Sequence, residues 1–158
     1  MWGEPGALSE RVENCLLPPS WQGLESIRIE NPGANGIGNA RSLAKIGSTI
    51  AMNGSLDGHT FLSKNTIELL LTEQSYRHDL VIDMPVRYGL GMGLNSKEFV
   101  CPGEGSLHWG GAGSSLVIMD TESRTCLAYA MNRMLPDLKE DIRNTPLRLT
   151  FNDIIRGL

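Results

Sequence analysis

Ser42-Leu43-Ala44-Lys45 is the stretch of this sequence with the most chemistry in its spacing. A serine hydroxyl is a weak nucleophile until a base takes its proton, and a lysine three residues further along a helix presents its amine on the same face. Downstream, Ser63-Lys64-Asn65 has the form Ser-x-Asn, a second hydroxyl close to an amide. Together they would attack an ester or amide carbonyl. With 13 serines and 4 lysines in 158 residues, a Ser-x-x-Lys arises by chance roughly 0.3 times, so the spacing alone discriminates poorly. Ser42 and Ser63 are also only 21 residues apart.

A second candidate is Trp109-Gly110-Gly111, inside Leu107-His108-Trp109-Gly110-Gly111-Ala112. A strand ending in glycines can border a cleft and hydrogen-bond an extended substrate through its backbone. The bland alternative is a glycine-rich strand end with a core tryptophan. Other residues carry less. His59 and His78 sit among polar loop residues and read as solvent-exposed. Tyr88-Gly89-Leu90-Gly91-Met92-Gly93 lacks the Gly-Lys-Ser ending of a phosphate loop and reads as sheet. Cys15, Cys101 and Cys126 are widely spaced and odd in number, which fits free thiols better than a disulfide framework or a metal knuckle. Neither a metal site nor a cofactor is called for. Arg133, Asp137, Lys139, Glu140, Asp141 and Arg143 read as a solvated charged linker.

The elements that must position these residues follow from periodicity. Residues 1–35 are rich in proline and glycine, with apolar patches at Val12–Leu17 and Ile27–Ile29, and read as loop. Ala40, Leu43, Ala44, Ile46, Ile50 and Ala51 recur at helical spacing; Asn39 can cap the start and Asn53-Gly54 the end. Ser63 opens a second helix running to Leu71. Val86 to Asn95 alternates apolar residues with glycines and predicts one strand. Leu107–Ala112, Ser115–Asp120 and Thr125–Met131 predict an antiparallel meander. Thr145-Pro146 opens a final helix.

Length and composition set the limits. At 158 residues, 41% hydrophobic and 20% charged, the chain has the size and mixture of one folded domain. A net charge of −4 gives no footprint for nucleic acid or an anionic membrane surface. The apolar runs are too short to span a bilayer, and the first residues show no leader, so the cytoplasm is the default compartment.

The segment LHWGGAGSSLVIMDTESRTCLAYAMNRM, residues 107–134, resembles the C-terminal part of the serine β-lactamase, family VIII carboxylesterase and penicillin-binding-protein superfamily. In its carboxylesterase-like members a strand bearing His, Trp or Lys, then a small residue and Gly, precedes a hairpin ending in an Asn-Arg-Met-like tail; Trp109-Gly110-Gly111 and Asn132-Arg133-Met134 match. The phrase NPGANGIGNARSLAKIGSTIAMNGSLDGHTFLS, residues 31–63, resembles the helix and turn about midway along such proteins, so the likeness runs over roughly residues 20–158. It implies an α+β fold, with this chain as the C-terminal part of a β-lactamase-like (transpeptidase-like) architecture: an antiparallel sheet flanked by helices. Residues 1–85 would be the helix and loop portion of the helical lobe, and 86–158 the strands and C-terminal helix of the sheet lobe.

The resemblance implies that the family's Ser-x-x-Lys nucleophile and its Tyr-x-Asn or Ser-x-Asn partner lie upstream of the matched region. Ser42 then falls on a plain helix. Trp109, Gly110, Gly111 and Ala112 become the third-motif strand, Ala112 contributing one backbone oxyanion donor; His108 replaces Trp109 if the register is one residue off. A tryptophan here cannot shuttle protons, which suits an ester-hydrolysing branch. Three readings stand: a serine hydrolase fragment inactive alone, whose small ester or amide substrate requires an N-terminal region; a short esterase using Ser42 and Lys45; or a non-catalytic interaction domain. In the family topology the strand around Cys126–Met131 would present an unpaired edge lined by Leu127, Tyr129 and Met131, which predicts self-association.

Overall fold

A computed structural model describes residues 36–111, 113–133 and 141–157. The first helix, α1 (Ala40–Ala51), begins where Asn39 accepts a hydrogen bond from the Ser42 amide at 3.0 Å. It ends where Asn53 (φ 56°) and Gly54 (φ 92°) turn left-handed. Gly54 cannot be replaced freely, because a Cβ there would lie 2.1 Å from the Leu62 carbonyl oxygen. A two-stranded hairpin follows, β1 (Ser55–Leu56) and β2 (His59–Thr60), turned by Asp57 and Gly58 at positive φ. Ser63 then caps α2 (Lys64–Leu71) by accepting from the Thr66 amide.

The rest is a six-stranded antiparallel sheet in sequential order: β3 (Ser75–Asp79), β4 (Met84–Tyr88), β5 (Gly93–Leu94), β6 (Ser106–Gly110), β7 (Leu116–Asp120) and β8 (Thr125–Tyr129). The last helix, α3, spans Asn144–Arg156. The sheet therefore starts at Ser75, ahead of the division at 85/86. The single strand expected over Val86–Asn95 is two strands, because Gly89 donates to the Met92 carbonyl and Gly91 (φ 79°) lets the chain fold back. The alternation of apolar residues simply continues through that turn.

Helices cover both faces. On one, Ala51, Leu94, Leu107 and Met119 form a buried cluster with Ile50, Leu70, Leu71, Met92, Val117 and Cys126 around it, so α1 and α2 pack here. On the other, Cys101, Leu116 and Ile118 are buried with Phe99, Leu127, Tyr129 and, from α3, Phe151. One stripe of α3 also clamps the loop before β6: Arg148 and Asn152 donate to the Val100 carbonyl, and Arg156 to those of Cys101 and Pro102. The spacing of four residues aligns these donors. At the β6–β7 end, Ser106 Oγ donates to the buried Asp120 carboxylate at 2.7 Å, and the Ser123 amide donates to its other oxygen at 2.8 Å. No described helix is long and apolar enough to cross a membrane.

The charged linker needs correction. Asp137, Lys139 and Glu140 lie outside the described residues, but Asp141 is buried rather than solvated, clamped by the Arg143 guanidinium. A two-residue separation on an irregular turn brings the pair together, which charge patterning does not reveal. Cys101 and Cys126 are free thiols, as expected, and Cys15 lies outside the described residues.

Candidate functional site

The alternation of a strand decides what β6 can present. Trp109 pairs with Val117 across β7, and Val117 reaches up to α1, so the Trp109 side chain stands on the α1 face. Its indole is 41% exposed and lies 5.8 Å from the Tyr88 ring, ring centroid to ring centroid. His108 points the other way. It is 7% exposed, stacked on Phe99 at 3.8 Å with the rings nearly parallel, and Arg148 lies over the far partner, 4.5 Å from the Phe99 centroid. Burial pushes the His108 imidazole down to about 4, a ring bond to the Leu94 backbone opposes this, and Arg148 adds to it. His108 is thus a neutral core residue on the α3 face, and the two alternatives for the motif's first position leave β6 in opposite directions.

Beyond Trp109 the strand changes character. β5 pairs with β6 only at Leu107 and His108, so among the described residues Trp109 and Gly110 have a partner strand on the β7 side alone. Gly111 N–H donates to the Ser115 carbonyl at 3.0 Å, which makes Gly110–Leu116 a non-hydrogen-bonded pair. By that alternation the Gly110 N–H and C=O are directed away from β7, toward the side where β5 has ended. The result is a strand that is internal at its start and an edge at its end. The returning chain is close to both glycines: a Cβ at Gly110 would sit 3.0 Å from the Ser115 carbonyl oxygen, and one at Gly111 would press on the rotatable Ser115 Oγ at 2.9 Å. Ala112 lies outside the described residues.

Tyr88 is a neighbour that sequence reasoning missed. Burial, then its hydrogen bond to Asp79 Oδ2 at 3.0 Å, pushes the phenol up to about 12. It stays protonated at neutral pH and can orient or pack against a ligand, but it is no base. No spacing signal links it to Trp109; only the pairing of β4 with β5 and of β5 with β6 brings the two rings together.

Ser42 and Lys45 are committed elsewhere. Ser42 Oγ donates to Asn39 Oδ1 at 3.2 Å within the helix cap, and Lys45 Nζ pairs with Asp57 at 3.1 Å in an exposed ion pair. Ser63 is the cap of α2. His59 is exposed, and His78 is bound to Asp83 at 2.9 Å on the β3–β4 hairpin.

The family model described as Beta-lactamase matches residues 2–150. The chain is 33% identical over 110 residues to the esterase/beta-lactamase LipL of Mycobacterium tuberculosis, an alignment covering 69% of this chain and 25% of that protein. The crystal structure of a family VIII carboxylesterase superimposes with a TM-score of 0.79 at 32% identity, and that of a novel penicillin-binding protein homolog from Caulobacter crescentus with 0.76 at 27%. Each superposition covers 96% of this chain and 41% of the other. The chain therefore spans about a quarter of the curated relative and two-fifths of the solved structures.

Proposed function

Since the chain belongs to the β-lactamase family, we propose that it carries the third-motif strand of a β-lactamase-related serine hydrolase of the carboxylesterase type and contains no working nucleophile of its own. What supports this is the one-sided end of β6, where the Gly110 backbone is directed to an open side beside the exposed Trp109. An ester's acyl portion can lie along such an edge, its carbonyl oxygen meeting a backbone donor and its apolar part meeting the indole. Ala112 is the position from which the family resemblance draws one oxyanion donor. A single donor stabilises little; an oxyanion hole gains several kcal/mol only when the nucleophile's own N–H completes it. The activity then belongs to an assembly that includes the region preceding the matched part of the relatives.

The rival pair, Ser42 and Lys45, is disfavoured by its separate partners, Asn39 and Asp57. A hydroxyl already held in a cap and an amine drawn to a carboxylate are not poised for mutual proton transfer. The test is labelling of the purified chain with an alkyl phosphonate probe, alongside turnover of a chromogenic short-chain ester. The expected result is neither. Labelling that is present in the native chain and lost in Ser42→Ala would overturn the proposal.

A further inference from the structure

We propose that Asp141, Arg143 and Asn144 form a latch holding the β6–β7 connection at Gly111 and at residues 113–115, and are thereby positioning residues for the strand end at Trp109-Gly110-Gly111. Their importance for a substrate rests on the reading of that strand end as a carbonyl-gripping edge; the latch itself does not.

The loop is tight and locally disfavoured. It closes through Gly111 N–H to the Ser115 carbonyl and Ser114 N–H to the Gly111 carbonyl, both at 3.0 Å. Two successive residues take positive φ, Gly113 at 87° and Ser114 at 89°. Glycine does so without cost, whereas serine is held there against its own preference and needs outside support. That support comes from far along the chain. Asn144 Nδ2 donates to the Ser114 carbonyl at 3.0 Å. The buried Ser114 hydroxyl lies beside the Asp141 carboxylate without reaching good hydrogen-bond geometry, yet close enough to help lower its pKa behind the larger effect of Arg143.

Asp141 is 4% exposed, and an isolated carboxylate so placed would be costly. Arg143 compensates it with Nε to both oxygens, at 2.9 and 3.1 Å, and with its backbone N–H to Oδ1 at 2.7 Å. The same guanidinium donates through Nη1 to the Arg133 carbonyl at 2.7 Å. One side chain thus ties the segment leading into α3 to the segment leaving β8, and the loop is pinned against this joint. Loosening the joint frees Ser114 to leave its disfavoured conformation, and Gly111, the residue before the family's donor position, moves with it.

The test is site-resolved amide hydrogen exchange by NMR on the full 158-residue chain. Asn144→Ala is expected to speed exchange at Gly111 and Ser114 by about three- to ten-fold, the range for one lost hydrogen bond, while the strand amides of Ile118 and Leu127 stay unchanged. Asp141→Asn should act in the same direction and more strongly. Adding Ser114→Gly to Asn144→Ala should restore protection at Gly111, since glycine accepts that φ freely. A merely structural role would speed loop and strand amides alike, and that result, or unchanged loop exchange in Asn144→Ala, would overturn the latch. If Asp141→Asn does not fold, Asn144→Ala decides alone. Because exchange reads the loop whether or not an ester binds, a failed latch and a failed functional reading are distinguishable.

Discussion

Gly47 packs α1 directly onto β7 and β8, and its substitution by alanine sets two known effects against each other. Alanine in a helix interior is favoured over glycine by about 1 kcal/mol. Against this, a Cβ at Gly47 would lie 2.6 Å from Cys126 Sγ, 3.1 Å from Met119 Cγ and 3.2 Å from Val117 Cγ2. Overpacking of that kind costs about 1–3 kcal/mol, and two of the three neighbours are branched or buried side chains with little freedom to retreat. The contact penalty should win, for a net loss of about 1 kcal/mol. Urea unfolding followed by far-ultraviolet circular dichroism would read this as a midpoint lowered by about 0.5 M. In a Cys126→Ala background the closest atom is gone, so Gly47→Ala should become neutral or better. The coupling would then exceed the roughly 0.3–0.5 kcal/mol scatter of independent sites. A raised midpoint for Gly47→Ala with Cys126 in place would refute the reasoning, because propensity alone would then govern a position argued to be closed by packing.

His108 predicts an acid-sensitive stability. Its folded-state value of about 4 lies below the ordinary 6.5, so the unfolded chain binds a proton that the folded chain refuses. Stability should fall as pH drops from about 6.5 to about 4 and level off below, by on the order of 3 kcal/mol in full. His108→Phe keeps a ring against Phe99 and should remove that component; parallel pH profiles of urea midpoints for the two proteins would contradict it. β8 pairs only with β7 among the described residues, and no charged residue or proline interrupts Thr125–Tyr129. Such an unguarded strand favours edge-to-edge pairing. We propose concentration-dependent self-association of the chain in sedimentation velocity; a monomer at all concentrations with a sharp cooperative unfolding transition would count against it.

Local order was legible because it depends on neighbours in the chain. The caps at Asn39 and Ser63, the glycine stop at Gly54, the meander from β6 to β8 and the final helix all follow from residue type and period. The family was legible in another way, through the resemblance of Trp109-Gly110-Gly111 and its flanks to a known motif. The turn at Gly89–Met92 escaped because a period-two pattern does not report a change of direction. The sequence by itself determined the three helices and the β6–β8 meander, but neither β3 nor the break between β4 and β5. Tertiary structure alone decided that His108 and Trp109 serve opposite faces, that β5 stops short and leaves the Gly110 backbone open, that Tyr88 stands beside the indole, and that Asp141 is buried. Those outcomes depend on strand register and on contacts between residues tens of positions apart, and neither is encoded in the spacing of residues along one element.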